Sequence, residues 1–294
     1  MSTNESSIKS TNESTSKSTN ESMTRSEIEA AGIDEVLLGR VRTAVEAAGA
    51  VLRDRYTTHA RARNLTEIFE ELQANDNAVL PDLERRLLDA RPGSQWVDDE
   101  LATGTLPDGE WWIVDPAEGN INHVHGMPEW AVTATLMRDN RPVLTVVHLP
   151  LTGDTYTAIA GHGAARNGET LRVSAKTGLD AGLVATSQAQ PDEDQETYRR
   201  IGESVSALLT AGLVVRVSVP ATLQLVNVAA GRMEAFWQYS EVRSGLVSGA
   251  LLVTEAGGLV TDLRGEPWTP GHRDFLAAAP GVHRAVSEAL APVK

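Results

Sequence analysis

Apolar residues recur at three- and four-residue spacing in two early segments of the chain. From Ile33 to Tyr56 this spacing is typical of an amphipathic helix that packs along one face. A second stripe follows Asn75 and Asp76 and ends at Pro92, so we predict a second helix that opens at these polar residues. Asp76 has two interpretations here: a helix cap, which Asp and Asn commonly form, or a carboxylate of a functional site.

The stretch at residues 111–114 is aromatic and β-branched, as in a buried strand. Pro116 and Gly119 are expected to end this strand, so that Asp115 and Glu118 emerge together on a tight turn. Two carboxylates three positions apart repel each other unless a cation or a shared proton offsets the repulsion. This turn is therefore the leading candidate for a functional site.

A second acidic strand end lies shortly before this turn. Residues 96–100 run from an apolar pair into three carboxylates, of which Asp99 and Glu100 are the last two. Such a run is typical of a solvated loop. The short connection to the next strand offers another interpretation, because two strand ends can converge at the sheet edge where α/β proteins often place ligands.

The remaining pattern predicts a layered α/β protein. Three strands joined by turns, at 131–137, 143–149 and 154–160, indicate an antiparallel meander. Later strands alternate with helices, which favours a layered arrangement. The later strands are predicted at 183–186, 213–219, 233–237, 260–261 and 275–279, and the helices at 195–209, 221–230 and 246–256.

The first 25 residues differ from the rest of the chain. They contain three STNES repeats, at Ser2, Ser10 and Ser18, and almost no apolar residue. Such a segment cannot bury enough surface to fold. We therefore expect a disordered tail at 1–25 and one domain at 26–294, with an α+β half to about residue 180 and an α/β half after it.

Composition narrows the function further. The 294 residues contain no cysteine, which excludes disulfides and thiolate sites, and the formal net charge of -14 argues against nucleic-acid and anionic membrane partners. No apolar run approaches the ~20 residues of a membrane span, and the N-terminus lacks a signal-peptide core. We expect a cytoplasmic protein that binds a small molecule.

Four segments together resemble the inositol monophosphatase family of magnesium-dependent, lithium-sensitive phosphatases. They are WIVDPAEGNINHVHG, GHGAARNGETLRVS, VAAGRMEAFW and GALLVTEAGGLVTD, in the order of that family. The resemblance covers Ile33 to the C-terminus. It implies a layered α-β-α-β-α sandwich, commonly dimeric.

The resemblance also implies a set of magnesium ligands. Asp115 matches the carboxylate that bridges metals, and Ala117 matches a residue that offers its backbone carbonyl. Glu118 replaces the second Asp of the family motif D-P-x-D-G-T. The other acidic positions implied by the resemblance are Asp76, Asp99 and Glu100.

Three positions depart from the family pattern. Gly245 stands where the family has an Asp ligand, Asn120 where it has a Thr that positions water, and Gln238 where it has a Glu that contacts substrate hydroxyls. Losing a ligand outright should weaken or remove one metal. We therefore expect no cofactor, or Mg²⁺ at one weak site held by Asp99, Asp115, Ala117 and Glu118, assisted by Asp76.

These departures lead us to expect metal-independent acid/base chemistry on a small metabolite, such as an isomerisation, elimination or cyclisation. Asp115 and Glu118 would be the acid/base pair and His123 a relay, whereas His125 matches a family histidine and is expected to be structural. A residual one-metal phosphatase of a sugar or inositol phosphate is the first alternative. A non-catalytic binding protein or dimer partner is the second.

Several residues are candidates for substrate binding, and we expect a homodimer. Aromatic rings near the turn would line an apolar pocket, with core packing as their alternative role. The substrate-binding candidates are Asn120, Trp130, Gln238, Tyr239 and Gly245.

Overall fold

The chain folds into two β-sheets that alternate with three layers of helices. A computed structural model describes residues 24–98, 102–188, 190–240 and 242–293. The helices are α1 (Arg25–Ala30), α2 (Glu35–Arg55), α3 (Leu65–Ala90), α4 (Asn120–Val124), α5 (Gln195–Ala211), α6 (Ala221–Ala229), α7 (Ser244–Glu255) and α8 (Pro280–Leu290). The strands are β1 (Gln95–Trp96), β2 (Glu110–Glu118), β3 (Ala131–Arg138), β4 (Arg141–Leu149), β5 (Asp154–Ile159), β6 (Gly163–Arg166), β7 (Glu169–Thr170), β8 (Leu183–Thr186), β9 (Val214–Val217), β10 (Ala235–Gln238), β11 (Leu259–Thr261) and β12 (Phe275–Ala278).

The first sheet contains seven strands in chain order, β1 to β7. Strands β2 to β7 form a continuous antiparallel meander, and only β1 pairs in parallel with its neighbour β2. Short turns connect these strands, because antiparallel neighbours need only a hairpin. The predicted three-stranded meander is confirmed, and it extends by β2 before it and by β6 and β7 after it.

The second sheet has the order β11-β12-β10-β8-β9. Strand β8 pairs in parallel with both β9 and β10, while β12 runs antiparallel to β10 and β11. Helices connect the parallel strands, as parallel pairing requires a crossover. Strand β9 forms one edge of this sheet.

Apolar side chains fill three contact layers between the helices and sheets. One cluster joins α2 and α3 to the outer face of the first sheet, for example Leu83 with Trp112. A second joins α6 and α7 to facing strands of both sheets, including Val147 and Phe236. A third joins α5 and α8 to the other face of the second sheet. The result is the layered α-β-α-β-α sandwich that the sequence predicts.

Helix α3 begins about ten residues earlier than the pattern predicts. Its N-cap is Asn64, whose side chain accepts a hydrogen bond from the Glu67 backbone N–H at 3.0 Å. Asn75 and Asp76 lie inside the helix, so the prediction that they open or cap it is wrong. The helix also continues through Pro81, because buried side chains at four-residue intervals hold it against the core despite the missing N–H donor.

Strand β2 also runs further than expected. It continues through Pro116 to Glu118, and its register with β3 shifts between Asp115 and Glu118. Proline is tolerated at a bulge, where a ladder hydrogen bond is missing anyway. Pro116 therefore does not end the strand, and the two carboxylates lie on either side of the bulge.

The folded domain begins slightly earlier in the chain than predicted. Thr24 caps α1 and Arg25 is the first residue of that helix, so these two residues do not belong to the expected disordered tail. The rest of that predicted tail, residues 1–23, lies outside the described residues. In the described part of the chain, no helix is both long and apolar enough to cross a membrane.

Candidate functional site

The bulge in β2 brings the Asp115 and Glu118 side chains together. Asp115 Oδ1 accepts a hydrogen bond from the Ala117 backbone N–H at 2.9 Å, which closes a tight local loop. The two carboxyl groups are hydrogen-bonded to each other, and Glu118 is only 4% exposed. A β-bulge bends the strand and so changes the direction in which the side chains near its end point.

Three carboxyl groups, those of Asp76, Asp115 and Glu118, interact electrostatically at the site. Burial raises the pKa of Asp115 well above its usual value, and the adjacent Glu118 and the charge of Asp76 act in the same direction. Burial also raises the pKa of Asp76 to about 6, although a hydrogen bond from Asn120 opposes the shift. Such shifts mark a place where protons or a cation must balance negative charge.

A chain of amide hydrogen bonds holds Asp76 toward the site. Asn120 Nδ2 donates to Asp76 Oδ1 at 3.0 Å and to the Leu72 carbonyl at 3.1 Å. The fully buried Asn75 donates to Asn120 Oδ1 at 2.7 Å and accepts from Arg55 Nε at 2.9 Å. Asn120 therefore acts as a fixed donor that links α4 to α3.

Gly119 makes the turn from β2 into α4. Its φ is +78°, in the left-handed region, and a Cβ there would lie 2.8 Å from the Glu129 carbonyl oxygen and 2.9 Å from the Pro220 ring. Asn122 Nδ2 donates to the carbonyls of Glu129 at 2.8 Å and Val219 at 3.0 Å. Only glycine allows the carboxylate-bearing strand to approach the start of α6 this closely.

The first turn of α7 completes the site. A Cβ on Gly245 would lie 3.9 Å from both Glu118 carboxylate oxygens and 3.7 Å from Ala221 Cβ. Thr222 Oγ1 donates to the Gly245 carbonyl at 2.9 Å, which ties α6 to α7. The starts of both helices therefore lie beside the Glu118 carboxylate.

His123 belongs to the packed interior. Its Nε2 donates to the Leu52 carbonyl at 2.9 Å, and its Nδ1 accepts from Asn75 Nδ2 at 3.0 Å and contacts Arg61 Nη2 at 3.2 Å. Burial lowers its pKa, and Arg61 and Arg55 act in the same direction. Both ring nitrogens are engaged and the ring is kept neutral, so His123 is a structural residue and the relay role expected for it is wrong.

Three candidates for substrate binding, Trp130, Tyr239 and Gln238, are buried in the structure. Trp130 is buried and packs against His123 with ring centroids 4.7 Å apart, while Tyr239 is buried with Arg200 stacked over its ring at 4.3 Å. Both rings therefore pack in the protein interior, which is the alternative role considered for them above. Gln238 Oε1 accepts a hydrogen bond from Ser187 Oγ at 2.5 Å, at the ends of β10 and β8.

His125 is exposed, and its Nδ1 lies 2.8 Å from the Ile121 carbonyl, which fits the structural role expected for it. Asp99 and Glu100 lie outside the described residues.

The donor set fits magnesium. Within the described ranges, no three His, Asp or Glu side chains form a closed cluster of metal ligands. Magnesium does not require one, because it keeps several waters and is commonly held by one or two carboxylates and a phosphate. Asp115 and Glu118 supply such a pair, and Ala117 lies between them with a backbone carbonyl. The raised pKa of Asp115 is what a cation site without its cation produces.

Comparison with known proteins decides the family. The sequence profile of the Inositol monophosphatase family matches residues 33–293. The chain belongs to the inositol monophosphatase family. It is 32% identical to inositol monophosphatase 2 of Solanum lycopersicum over 239 residues, which are 76% of this chain and 88% of that protein. It is 31% identical to the probable inositol 1-monophosphatase ImpA of Mycobacterium tuberculosis over 227 residues, 75% of this chain and 84% of that one.

Two further matches agree with this membership. The Nus factor SuhB of Pseudomonas aeruginosa is 36% identical over 154 residues, and the match spans 52% of this chain and 57% of that protein. The inositol monophosphatase from Anabaena (Nostoc) sp. PCC 7120 superposes with a TM-score of 0.73 at 26% identity, over 88% of this chain and 97% of that one. The family fold is therefore present over most of the chain.

Membership in this family of enzymes corrects the expected chemistry. Relatives that match about three quarters of the chain are named as phosphatases, and none of these comparisons points to an isomerase or cyclase. The expectation of metal-independent acid/base chemistry by Asp115 and Glu118 is wrong.

Three residues of the hydrogen-bond network that supports the site were not predicted from the sequence: Asn75, Arg55 and Arg61. Asn75 holds Asn120 and His123, while Arg55 and Arg61 support the same network from the end of α2 and the following loop. A signal for Asn75 was available, since it lies four residues before Val79 on the buried stripe of α3. A polar residue on an apolar stripe needs buried partners.

Proposed function

We propose that this protein is a magnesium-dependent phosphomonoesterase that acts on a small phosphorylated metabolite of the sugar or inositol phosphate type. One observation carries the proposal: the Asp115–Glu118 pair, half-buried and buried respectively, has its Glu118 carboxylate beside the first turn of α7, which contacts the start of α6. Family membership supports the same activity.

This arrangement combines two opposite electrostatic preferences. The first turns of α6 and α7 present unpaired backbone N–H groups and the positive ends of helix dipoles, which favour an anion such as phosphate. The carboxylates of Asp115 and Glu118 repel the same anion. A divalent cation held by these carboxylates would offset the repulsion, and this supports metal-dependent phosphate chemistry at the site.

The residues of this chain would have distinct roles. Asp115, Glu118 and the Ala117 carbonyl would hold Mg²⁺, which when bound activates water and neutralises phosphate charge. Asp76 would accept a proton, since its pKa of about 6 lies close to neutral pH. Its Oδ1 accepts the Asn120 amide, so Oδ2 is the oxygen available for that proton.

The expected homodimer remains part of the proposal. Exposed apolar side chains collect at the edge strand β9 and the adjoining end of α5, a surface that proteins usually cover. These side chains belong to Leu209, Leu213, Val214 and Val217. Light scattering during gel filtration would measure the mass, and a monomer at micromolar concentration would contradict the proposal.

Two further expectations are retained as proposals. The division into two halves near residue 180 is supported by the sheets, whose strands fall at 95–170 and 183–278. A cytoplasmic location and a small-molecule substrate are supported by the absence of cysteine and the net charge of -14.

The activity is tested with metal-free protein and a panel of phosphomonoesters, including inositol 1-phosphate and glucose 6-phosphate. Phosphate release should require Mg²⁺ and disappear in Asp115→Asn, whose calorimetric Mg²⁺ affinity should fall as well. Asp89→Asn, on the exposed surface of α3, is the matched control. Turnover that persists in a chelator, or in Asp115→Asn, would refute the proposal.

A further inference from the structure

A chain of hydrogen bonds runs through the interior from an arginine to the carboxylate of Asp76. Arg55 Nε donates to Asn75 Oδ1 at 2.9 Å. Asn75 Nδ2 donates to Asn120 Oδ1 at 2.7 Å, and Asn120 Nδ2 donates to Asp76 Oδ1 at 3.0 Å. Asn120 is the first residue of α4 and follows Glu118 by two positions. The chain therefore connects the end of α2 to the candidate site.

The two amide groups fit this chain in one orientation. Asn75 donates its second amide proton to His123 Nδ1 at 3.0 Å, and Asn120 donates its second to the Leu72 carbonyl at 3.1 Å. If the Asn120 amide were turned over, its oxygen would face the Leu72 carbonyl and the Asp76 carboxylate, which only accept hydrogen bonds. Each donor of the chain therefore points toward Asp76.

Arg55 sets the same direction from the other end of the chain. A guanidinium group has donors and no acceptor, so the oxygen of Asn75 must face it. A hydrogen bond from a charged donor is roughly twice as strong as one between neutral groups, and hydrogen bonds in a chain polarise one another. Arg61 Nη1 donates to the Arg55 carbonyl and so holds this end in place.

We propose that Arg55 is a positioning residue for the phosphatase reaction, which acts on Asp76 through the amides of Asn75 and Asn120. The proposal rests on the proposed phosphatase function and adds a residue to it. Because the chain occupies Asp76 Oδ1, the carboxyl group is held with Oδ2 as the oxygen that takes up the proton. Amides that rotate would let either oxygen of Asp76 turn toward Asn120, and fewer molecules would have the reactive arrangement.

The test compares two substitutions that differ in whether the new side chain can accept a hydrogen bond. Lysine is charged and only donates, like arginine, whereas glutamine is neutral and does both. With Mg²⁺ and inositol 1-phosphate, Arg55→Gln in the full-length protein should lower kcat by about fivefold and leave KM unchanged, because Asp76 acts in proton transfer. Arg55→Lys should retain most of the kcat. Arg53→Gln, at an exposed position on the same helix, is the matched control.

Two kinetic outcomes would overturn the proposal. One is an unchanged kcat in Arg55→Gln. The other is an equal loss of kcat in Arg55→Lys and Arg55→Gln, since the shape of the guanidinium and not its donor-only character would then matter. Melting temperatures show whether the variants are folded. If Arg55→Gln does not fold, Arg55→Met replaces it, because its unbranched stem packs similarly and provides no hydrogen-bond donor.

A measurement on the metal-free protein separates this proposal from the phosphatase function. The side-chain amide of Asn120 is observed by NMR with isotope-labelled asparagine and is identified by its loss in Asn120→Ser. Its hydrogens should exchange with solvent about tenfold faster in Arg55→Gln than in Arg55→Lys or the unsubstituted protein, because a weakened chain opens more often. Equal exchange in all three would overturn the role of Arg55. Faster exchange only in Arg55→Gln, without hydrolysis of any phosphomonoester by the unsubstituted protein, would refute the phosphatase function and leave the hold of Arg55 on Asp76 standing.

Discussion

The Glu118 carboxylate fills the space beside Gly245: a Cβ built on Gly245 would lie at ordinary van der Waals distance, 3.9 Å, from both of its oxygens. The resemblance described under Sequence analysis implies an Asp at both positions; Glu118 is one methylene longer than Asp, and Gly245 has no carboxylate. We infer that the two substitutions compensate, so that one longer side chain from β2 supplies negative charge at the start of α7.

This compensation predicts a non-additive pair of mutations. Glu118→Asp and Gly245→Asp should each weaken Mg²⁺ binding or lower metal-free stability, the first by withdrawing the carboxylate and the second by crowding two of them. The double variant should bind Mg²⁺ more tightly than either single variant, with a coupling energy on the order of 1 kcal/mol or more. Calorimetric titration with Mg²⁺ measures this coupling.

Gly202→Asp on α5 is the control for placing Asp at a helical glycine, because a Cβ there meets no atom within 4 Å. Strictly additive effects of the Glu118 and Gly245 changes would show that the two positions act independently.

Gly119→Ala should destabilise the protein strongly. The new Cβ would combine a left-handed φ with contacts of 2.8 Å to Glu129 and 2.9 Å to Pro220, and we expect a loss of about 2–4 kcal/mol in the free energy of unfolding. Gly153→Ala has a similar φ of +73° but open space around its Cβ, so it should lose only about 1 kcal/mol. Urea denaturation compares the two, and equal losses would mean that the close approach of β2 to α6 is unimportant.

Asn75→Leu should destabilise the protein by about 2–3 kcal/mol, because it removes the hydrogen bonds that the fully buried Asn75 makes to Asn120 Oδ1, His123 Nδ1 and Arg55 Nε. Asn77→Leu, on the exposed side of the same helix, should change stability little and is the control. The two free energies are compared by urea denaturation. A loss in Asn75→Leu no larger than in the control would show that the network is dispensable.

Stability of the metal-free protein should depend on pH through Asp76. Its pKa is about 6 in the folded state against 3.8 unfolded, so the folded protein holds this proton more tightly. The resulting contribution to stability is complete below pH 3.8 and is lost as the pH rises through 6. Because Asp76 is partly exposed and solvent screens it, we expect a loss of only about 1 kcal/mol.

Asp76→Asn should flatten the decline in melting temperature between pH 4.5 and 6.5, while Asp89→Asn should leave it unchanged. Saturating Mg²⁺ should reduce the decline in the unsubstituted protein, because a bound cation favours the ionised carboxylates. A pH profile of melting temperature that is the same in Asp76→Asn and in the unsubstituted protein would contradict the assignment.

Local patterns predicted most of the second half of the chain. The strand at 183–186 is found with the predicted bounds, and the helix at 221–230 ends one residue earlier than expected. These segments have short apolar runs bounded by glycine, proline or polar residues, which are strong local signals. The prediction failed at α3, where Asn75 and Asp76 resemble a helix start, since capping preference is weaker than burial of a continuous apolar face.

The sequence by itself determined the layered fold, the family and the importance of the turn from Asp115 to Gly119, because these depend on local periodicity and on motifs that survive in order along the chain. The tertiary structure alone decided which polar residues cooperate. In the folded protein His123 lies in the interior, Asp76 accepts a hydrogen bond from Asn120, and Glu118 lies next to Gly245, which is 127 positions away in the sequence. Hydrogen bonds, desolvation and close contact depend on distances across the fold, and no linear pattern specifies those distances.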